Sequence, residues 1–309
     1  MEVICKAKDF GRFFKNPVLT LGNFDGVHLG HQRIFQQVRR KAQEIGGESI
    51  AYTFAPHPVQ LLKPEKEPFL LLPISERIRL IGETGMDVTI CAPFTQEFAS
   101  LTAEEFVRDI LHRQIGVRQI YVGQNTSFGR GRTGSVALLK ELGERYGFAV
   151  EAMEAVEVKG TLISSSRIRR LIRGGNIPGA TELLGRPPLL VGEVIRGFGR
   201  GGKKLGFPTA NLKIEKVLVP KPGIYAVWAI CGGQKFPGVA NLGWNPTFQD
   251  GKFSIEVHIL NFNKDIYGQT LRLEFVERQR DEVTFRSPEE LITQIKKDVE
   301  QAKRILGVV

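Results

Sequence analysis

The stretch Thr20-Leu21-Gly22-Asn23-Phe24-Asp25-Gly26-Val27-His28-Leu29-Gly30-His31 decides the reading of the first half of this chain. It begins as the end of an apolar run, Val18 to Leu21, passes through a glycine-bearing turn, and leads into a helical pattern. Ile34, Val38, Ala42 and Ile45 recur at helical spacing there, with Gln36, Arg39, Arg40 and Glu44 filling the polar positions between them. A strand followed by a turn and then a helix is the opening of an α/β unit. The same alternation continues outward, because Ser49 to Phe54, Asp87 to Ala92, Gln119 to Gly123 and Ala149 to Met153 are short apolar or β-branched runs separated by helical stretches. This rhythm predicts a parallel sheet flanked by helices. Two short helices, Ser166 to Arg173 and Pro178 to Leu184, precede Gly185-Arg186-Pro187-Pro188, where the prolines forbid further helix. The domain boundary is placed there, giving residues 1–185 and 186–309.

The turn has chemistry of its own. Amides at a helix N-terminus and the positive end of its dipole attract phosphate, Gly26 and Gly30 allow close backbone approach, and His28 and His31 can donate to phosphate oxygens. One histidine would ordinarily be a surface or satisfied core residue. Two of the chain's five histidines bracketing one glycine at a strand-to-helix turn favour a site instead.

Length and composition set outer limits. At 309 residues the chain is long enough for about two domains. Its three cysteines, Cys5, Cys91 and Cys231, form no CxxC pair, which argues against a disulfide framework or structural zinc and fits a reducing compartment. Met1 to Phe10 carries charges throughout and no run of about 18 apolar residues occurs, so a soluble, cytoplasmic protein is expected. A formal net charge of +10 favours an anionic partner, either a nucleotide, a phosphorylated metabolite or nucleic acid. The basic cluster Arg39-Arg40-Lys41 lies late in a helix, where cations match the dipole.

After Leu189 the pattern changes. Ile224 to Ile230, Phe236 to Asn241, Phe253 to Leu260 and Thr270 to Val276 read as strands joined by turns, which predicts an antiparallel sheet or small barrel. The chain closes with a helix opened by Ser287-Pro288-Glu289-Glu290, a capping box, and striped by Leu291, Ile295 and Val299. Ahead of these strands, Gly197-Phe198-Gly199-Arg200-Gly201-Gly202-Lys203-Lys204 leads into Pro208-Thr209-Ala210-Asn211. It lacks Walker A spacing. If Thr209 to Asn211 is extended, hydroxyl and amide share a face and can meet Mg²⁺ or phosphate oxygen. In Ser254-Ile255-Glu256-Val257-His258-Ile259 the apolar residues take one face and leave Glu256 and His258 on the other. From that segment alone, Glu256 fits a general base and a solvent-facing strand carboxylate equally.

The quoted turn, G-x-F-D-G-x-H-x-G-H, resembles the signature of nucleotidyltransferases related to class I aminoacyl-tRNA synthetases. Ile163-Ser164-Ser165-Ser166-Arg167-Ile168-Arg169, about 130 residues later, is similar to the motif by which those enzymes return to the triphosphate. The second half resembles riboflavin kinase, through the Gly-rich loop with Pro-Thr-Ala-Asn, Gly223-Ile224-Tyr225, Asn241-Leu242-Gly243, Glu256-Val257-His258, Tyr267-Gly268 and Arg280-Asp281-Glu282 followed by Phe285. Together they resemble the bifunctional bacterial riboflavin kinase/FAD synthetase family over essentially the whole chain.

The resemblance implies a Rossmann-like α/β nucleotidyltransferase domain with a parallel sheet, then an antiparallel β-barrel domain with a terminal helix. It implies a kinase making FMN from riboflavin and ATP, and an adenylyltransferase making FAD and pyrophosphate from FMN and ATP, with Mg²⁺ as the metal. It assigns Asn23, His28, His31, Ser164 and Arg169 to the ATP of adenylylation, His28 and His31 as its catalytic pair, and His57 and Asn125 to the flavin side. In the kinase it assigns Gly197, Gly199, Thr209 and Asn211 to Mg-ATP, with Thr209 and Asn211 on the metal, Glu256 as base and Arg280 as a flavin-side loop residue. The expected partners are small molecules, with neither nucleic acid nor membrane, and no oligomer is predicted. Ala55 stands where the family usually has an acidic residue, and Thr126 where an aromatic is usual. An enzyme stopping at FMN is therefore the first alternative, and a basic RNA-binding protein with a synthetase-like domain the second.

Overall fold

The computed structural model describes residues 1–5, 13–62, 69–196, 206–244 and 253–308. Gly197 and Gly199 of the glycine-rich loop, and the turn at 249–252, lie outside them. The chain divides into two compact units, one of Met1–Glu67 with Ile74–Ser164 and one of Pro68–Pro73 with Ser165–Val309.

In the first unit the elements follow in the order β1 (Glu2–Ile4), β2 (Val18–Leu21), α1 (Leu29–Glu44), β3 (Ser49–Ala55), α2 (Pro58–Leu62), α3 (Ile74–Glu83), β4 (Val88–Pro93), α4 (Gln96–Ser100), α5 (Ala103–Glu105), a π-helical segment (Phe106–Ile115), β5 (Gln119–Gly123), α6 (Val136–Tyr146) and β6 (Ala149–Met153). A small hairpin, β7 (Glu157–Val158) and β8 (Thr161–Leu162), follows. The sheet order is β1-β4-β3-β2-β5-β6, with every pairing parallel. Strand β2, buried along its whole length, lies between β3 and β5, so the winding reverses direction beside it. In a doubly wound sheet the crevice at the carboxyl ends of such strands receives ligands. Helix α1 buries Phe35, Val38 and Ala42, while Ile45 is its C-cap residue and not part of its stripe.

Strand β1 and the parallel register Ile4↔Ile90 were not evident in the sequence. They set Cys5 beside Cys91, and burial together with that neighbour pushes the Cys91 thiol up to about 11. Both cysteines are free.

The second unit holds α7 (Ser165–Arg173), α8 (Ile177–Leu184), β9 (Leu189–Ile195), β10 (Ala210–Ile214), β11 (Gly223–Cys231), β12 (Gln234–Trp244), β13 (Phe253–Ile259), β14 (Thr270–Arg280) and α9 (Pro288–Leu306). Its six strands close into a barrel in the order β10-β13-β12-β11-β14-β9, all antiparallel. Helices α7 and α8, which the sequence reading attached to the first half, group with this unit, and Ile177 joins the barrel core. Tyr225, Val227, Ala240, Leu242, Ile255, Val257, Leu271, Leu273 and Phe275 fill that core. Because Ile255, Val257 and Ile259 point inward, Glu256 and His258 stand on the outer wall. At the start of α9, Ser287 Oγ accepts from Glu290 N (3.3 Å), but the Glu290 carboxylate takes Arg286 N (3.0 Å) instead of closing the expected box.

Candidate active sites

At the carboxyl end of β2 the chain turns sharply, with Phe24 (φ 48°) and Val27 (φ 43°) both left-handed, a costly conformation for residues with side chains. Val27 N closes the turn on Phe24 O (3.0 Å). The Asn23 carbonyl accepts from Arg77 Nη1 (2.6 Å) and Thr53 Oγ1 (3.3 Å), while the Asn23 side chain is exposed. Arg77 also donates to Phe54 O (2.8 Å). Burial lowers the Arg77 pKa, and the charge of buried Asp25 opposes that shift.

His28 is the N-cap of α1, its Nδ1 accepting from His31 N (3.3 Å), so its ring proton is assigned to Nε2. The His28 and His31 rings stack with centroids 3.5 Å apart, and Phe24 meets His31 edge-on at 5.4 Å. Gly30 makes this possible, since a Cβ there would stand 3.2 Å from the His28 ring. Burial, then His28 and Arg77, hold the His31 pKa well below 6.5, and its Nδ1 is buried with no hydrogen-bond partner. The first turn of α1 carries no acidic side chain to cancel the dipole. The result is a stacked histidine pair at a positive helix end, with His31 held neutral, suited to oxyanions.

The other residues expected here lie at neighbouring strand ends or elsewhere. His57, just past β3, is buried, its Nδ1 accepting from Val59 N (3.2 Å) at the start of α2. Asn125, just past β5, is exposed. Ser164 is the last residue of the first unit. Arg169 belongs to the second, where Nε donates to Phe69 O (2.7 Å) and the guanidinium lies 5.3 Å from the Phe69 ring centre.

In the second unit a cavity of about 260 Å³ lies between the barrel's outer wall and α9. Strand register builds its polar floor. Asn211 opposes Glu256, Glu256 opposes Asn241, Asn241 opposes Ile224, and Ile224 opposes Arg280, a single row across five strands. Glu256, Thr209, Asn241 and Arg280 line the cavity; Asn211 stands beside Glu256 but is not among the lining residues. Asn241 Oδ1 is buried without a hydrogen-bond partner. Ile224, Val239, Phe285, Leu291, Ile295 and Val299 give the cavity apolar walls. His258 Nδ1 lies 2.8 Å from Pro208 O, holding the segment that carries Thr209.

Arg280 is the last residue of β14 and not a loop residue. Glu282, another lining side chain, has its pKa raised by burial. Glu282 was not legible in the sequence as a site residue, nor were Asn241 and the buried Asp298 of α9, which receives Arg280 (2.8 and 2.6 Å). A signal existed for Asp298, an acid three residues beyond Ile295 and beside the apolar stripe.

Two family patterns match the chain, FAD synthetase over residues 12–167 and riboflavin kinase over residues 184–306. A bifunctional riboflavin kinase/FMN adenylyltransferase of Pseudomonas fluorescens is 39% identical, covering 93% of this chain and 92% of its own. The chain belongs to the bifunctional riboflavin kinase/FMN adenylyltransferase family. The family's Escherichia coli K12 enzyme is 35% identical over 94% of this chain and 93% of its own, and that of Haemophilus influenzae 35% identical over 98% of both. A crystal structure named as a macrolide-efflux protein of Streptococcus pneumoniae superposes with a TM-score of 0.88 at 33% identity, covering 98% of this chain and 99% of that one. Among the described residues no helix is long and apolar enough to cross a membrane. As a family member the chain is an enzyme with two activities, riboflavin kinase and FMN adenylyltransferase, in the order of the two matches.

Proposed function

We propose that the barrel cavity is where riboflavin is phosphorylated, with Glu256 as the base, and that the turn before α1 is where FMN is adenylylated. The kinase assignment is carried by one observation, that Glu256 opens into the same cavity as Thr209, Asn241 and Arg280. Glu256 takes the proton of the terminal ribityl hydroxyl as its oxygen bonds to the γ-phosphorus of ATP and ADP leaves. The apolar walls take the flavin ring, with Arg280 on its side of the cavity.

The oxygens near Glu256, the Thr209 hydroxyl and the Asn211 and Asn241 amides, are neutral and hard, which suits Mg²⁺ shared with phosphate. Among the described residues no cluster of three acidic, histidine or cysteine side chains could hold a cation unaided. Thr209 and Asn211 would hold Mg²⁺ there, and it would supply neutralisation of phosphate charge. The glycine-rich loop of Gly197 and Gly199 completes the ATP side in this reading.

In the first unit, an FMN phosphate oxygen bonds to the α-phosphorus of ATP and pyrophosphate leaves. No proton need move to start the step, so the work of Asn23, His28, His31 and the α1 amides is to receive negative charge. His57 and Asn125, at the ends of β3 and β5, are assigned to the flavin side. Residues 1–185 carry this activity and residues 186–309 the kinase. Removing divalent ions with EDTA should abolish FMN formation from riboflavin and ATP, and added Mg²⁺ should restore it; FMN formation undiminished in EDTA would refute the metal assignment.

A further inference from the structure

Among the described residues the cavity's lining is acidic on balance, although the site handles phosphate. Its lining includes three carboxylates, Glu256, Glu282 and Asp298, and one guanidinium, Arg280. That guanidinium is not an open cation. Asp298, only 3% exposed, takes its Nε and Nη2 in a two-pronged bond. Gln294, one turn earlier on α9, donates to the same carboxylate (2.8 Å), and Arg280 Nη1 is tied to Asp281 O (2.9 Å). The fork is therefore fixed in direction and matched in charge by a buried partner, an arrangement more rigid than a surface pair.

Substrate and product of the kinase differ in charge: riboflavin is neutral, whereas FMN carries a phosphate dianion. An unmatched guanidinium in a low-dielectric cavity would favour the anion. We infer that Asp298 is a positioning residue that fixes Arg280 and cancels its charge, so that the cavity admits the neutral flavin and does not retain its phosphorylated product. The inference rests on the reading of Arg280 as a flavin-side residue.

The test uses the full chain and follows ADP, which the kinase step releases and adenylylation does not. Initial rates give the KM for riboflavin and the inhibition constant for added FMN. In Asp298→Asn the ratio of FMN inhibition constant to riboflavin KM should fall by about tenfold or more, since one buried charge is left uncompensated. Asp298→Glu, which keeps the charge, should restore the ratio. Arg280→Gln leaves the acidic side in excess and should raise the ratio, which keeps the test available if Asp298→Asn does not fold. A purely structural role would move both constants by the same factor, and such a parallel shift of both constants in Asp298→Asn and Arg280→Gln overturns the inference while leaving Arg280 on the flavin side. If Arg280→Gln alters neither constant, Arg280 does not face the flavin, and the reading and the inference fall together.

Discussion

Glu256 shows how much a single residue's role depends on its register. Its placement opposite the core-facing residues is legible from alternation in one strand, but the cavity it serves is assembled from β12, β14 and α9, which local spacing does not connect. Glu256→Gln keeps the shape and removes the base, so riboflavin phosphorylation should fall by about 10² to 10⁴, read as initial ADP release. A change of less than tenfold would assign the proton elsewhere. His31 was legible as a site candidate from spacing, yet its stacking on His28 and its depressed pKa depend on Phe24 and Arg77, which the turn and α3 bring to it. The unfolded ring titrates near 6.5 and the folded ring below it, so on acidification the unfolded chain takes up this proton first. The ring's contribution to stability is complete above about pH 6.5 and is lost as pH falls through the folded value. The wild-type Tm should therefore drop more between about pH 7 and pH 5 than that of His31→Asn, measured by thermal melts; equal drops would contradict the shift.

At the scale of elements, the parallel strands β2 to β6 and the helices α1, α7, α8 and α9 were legible because each carries its own periodicity, whereas β1 was not. Strands β9 and β10 were not, since Gly192 and Lys213 interrupt their apolar pattern and their reason for being extended is the need to close the barrel. Strand β12 carries a similar non-local constraint at Gly243, where a Cβ would stand 1.7 Å from Glu282 Oε1. The carboxylate is the far end of a flexible side chain, so Gly243→Ala should displace Glu282 and raise the KM for riboflavin severalfold with little loss of Tm. A large fall in Tm with unchanged KM would show that the close approach matters for packing alone. For α9, Ser287→Ala removes the bond to Glu290 N and should cost about 1 kcal/mol in urea unfolding of the second unit. The stripe of this helix was legible, but not that it roofs a cavity, because a stripe specifies burial without specifying what it is buried against.

For the molecule as a whole, a separate core in each unit among the described residues and two phosphate chemistries predict separable activities. His31→Ala should lose FAD formation from FMN while retaining FMN formation from riboflavin, and Glu256→Gln the reverse, assayed by chromatography of flavins; loss of both activities in either soluble variant would contradict separate sites. The two units also differ at their margins. The parallel sheet ends in two outer strands, β1 with Val3 exposed and β6 with Ala149 and Glu151 exposed, whereas the barrel is a ring in which every strand has two neighbours. A ring offers no free backbone row to a foreign strand. Under stress that loosens the fold without erasing it, self-association should therefore start from the nucleotidyltransferase half, and the half that makes FMN should be the last to be drawn into an aggregate.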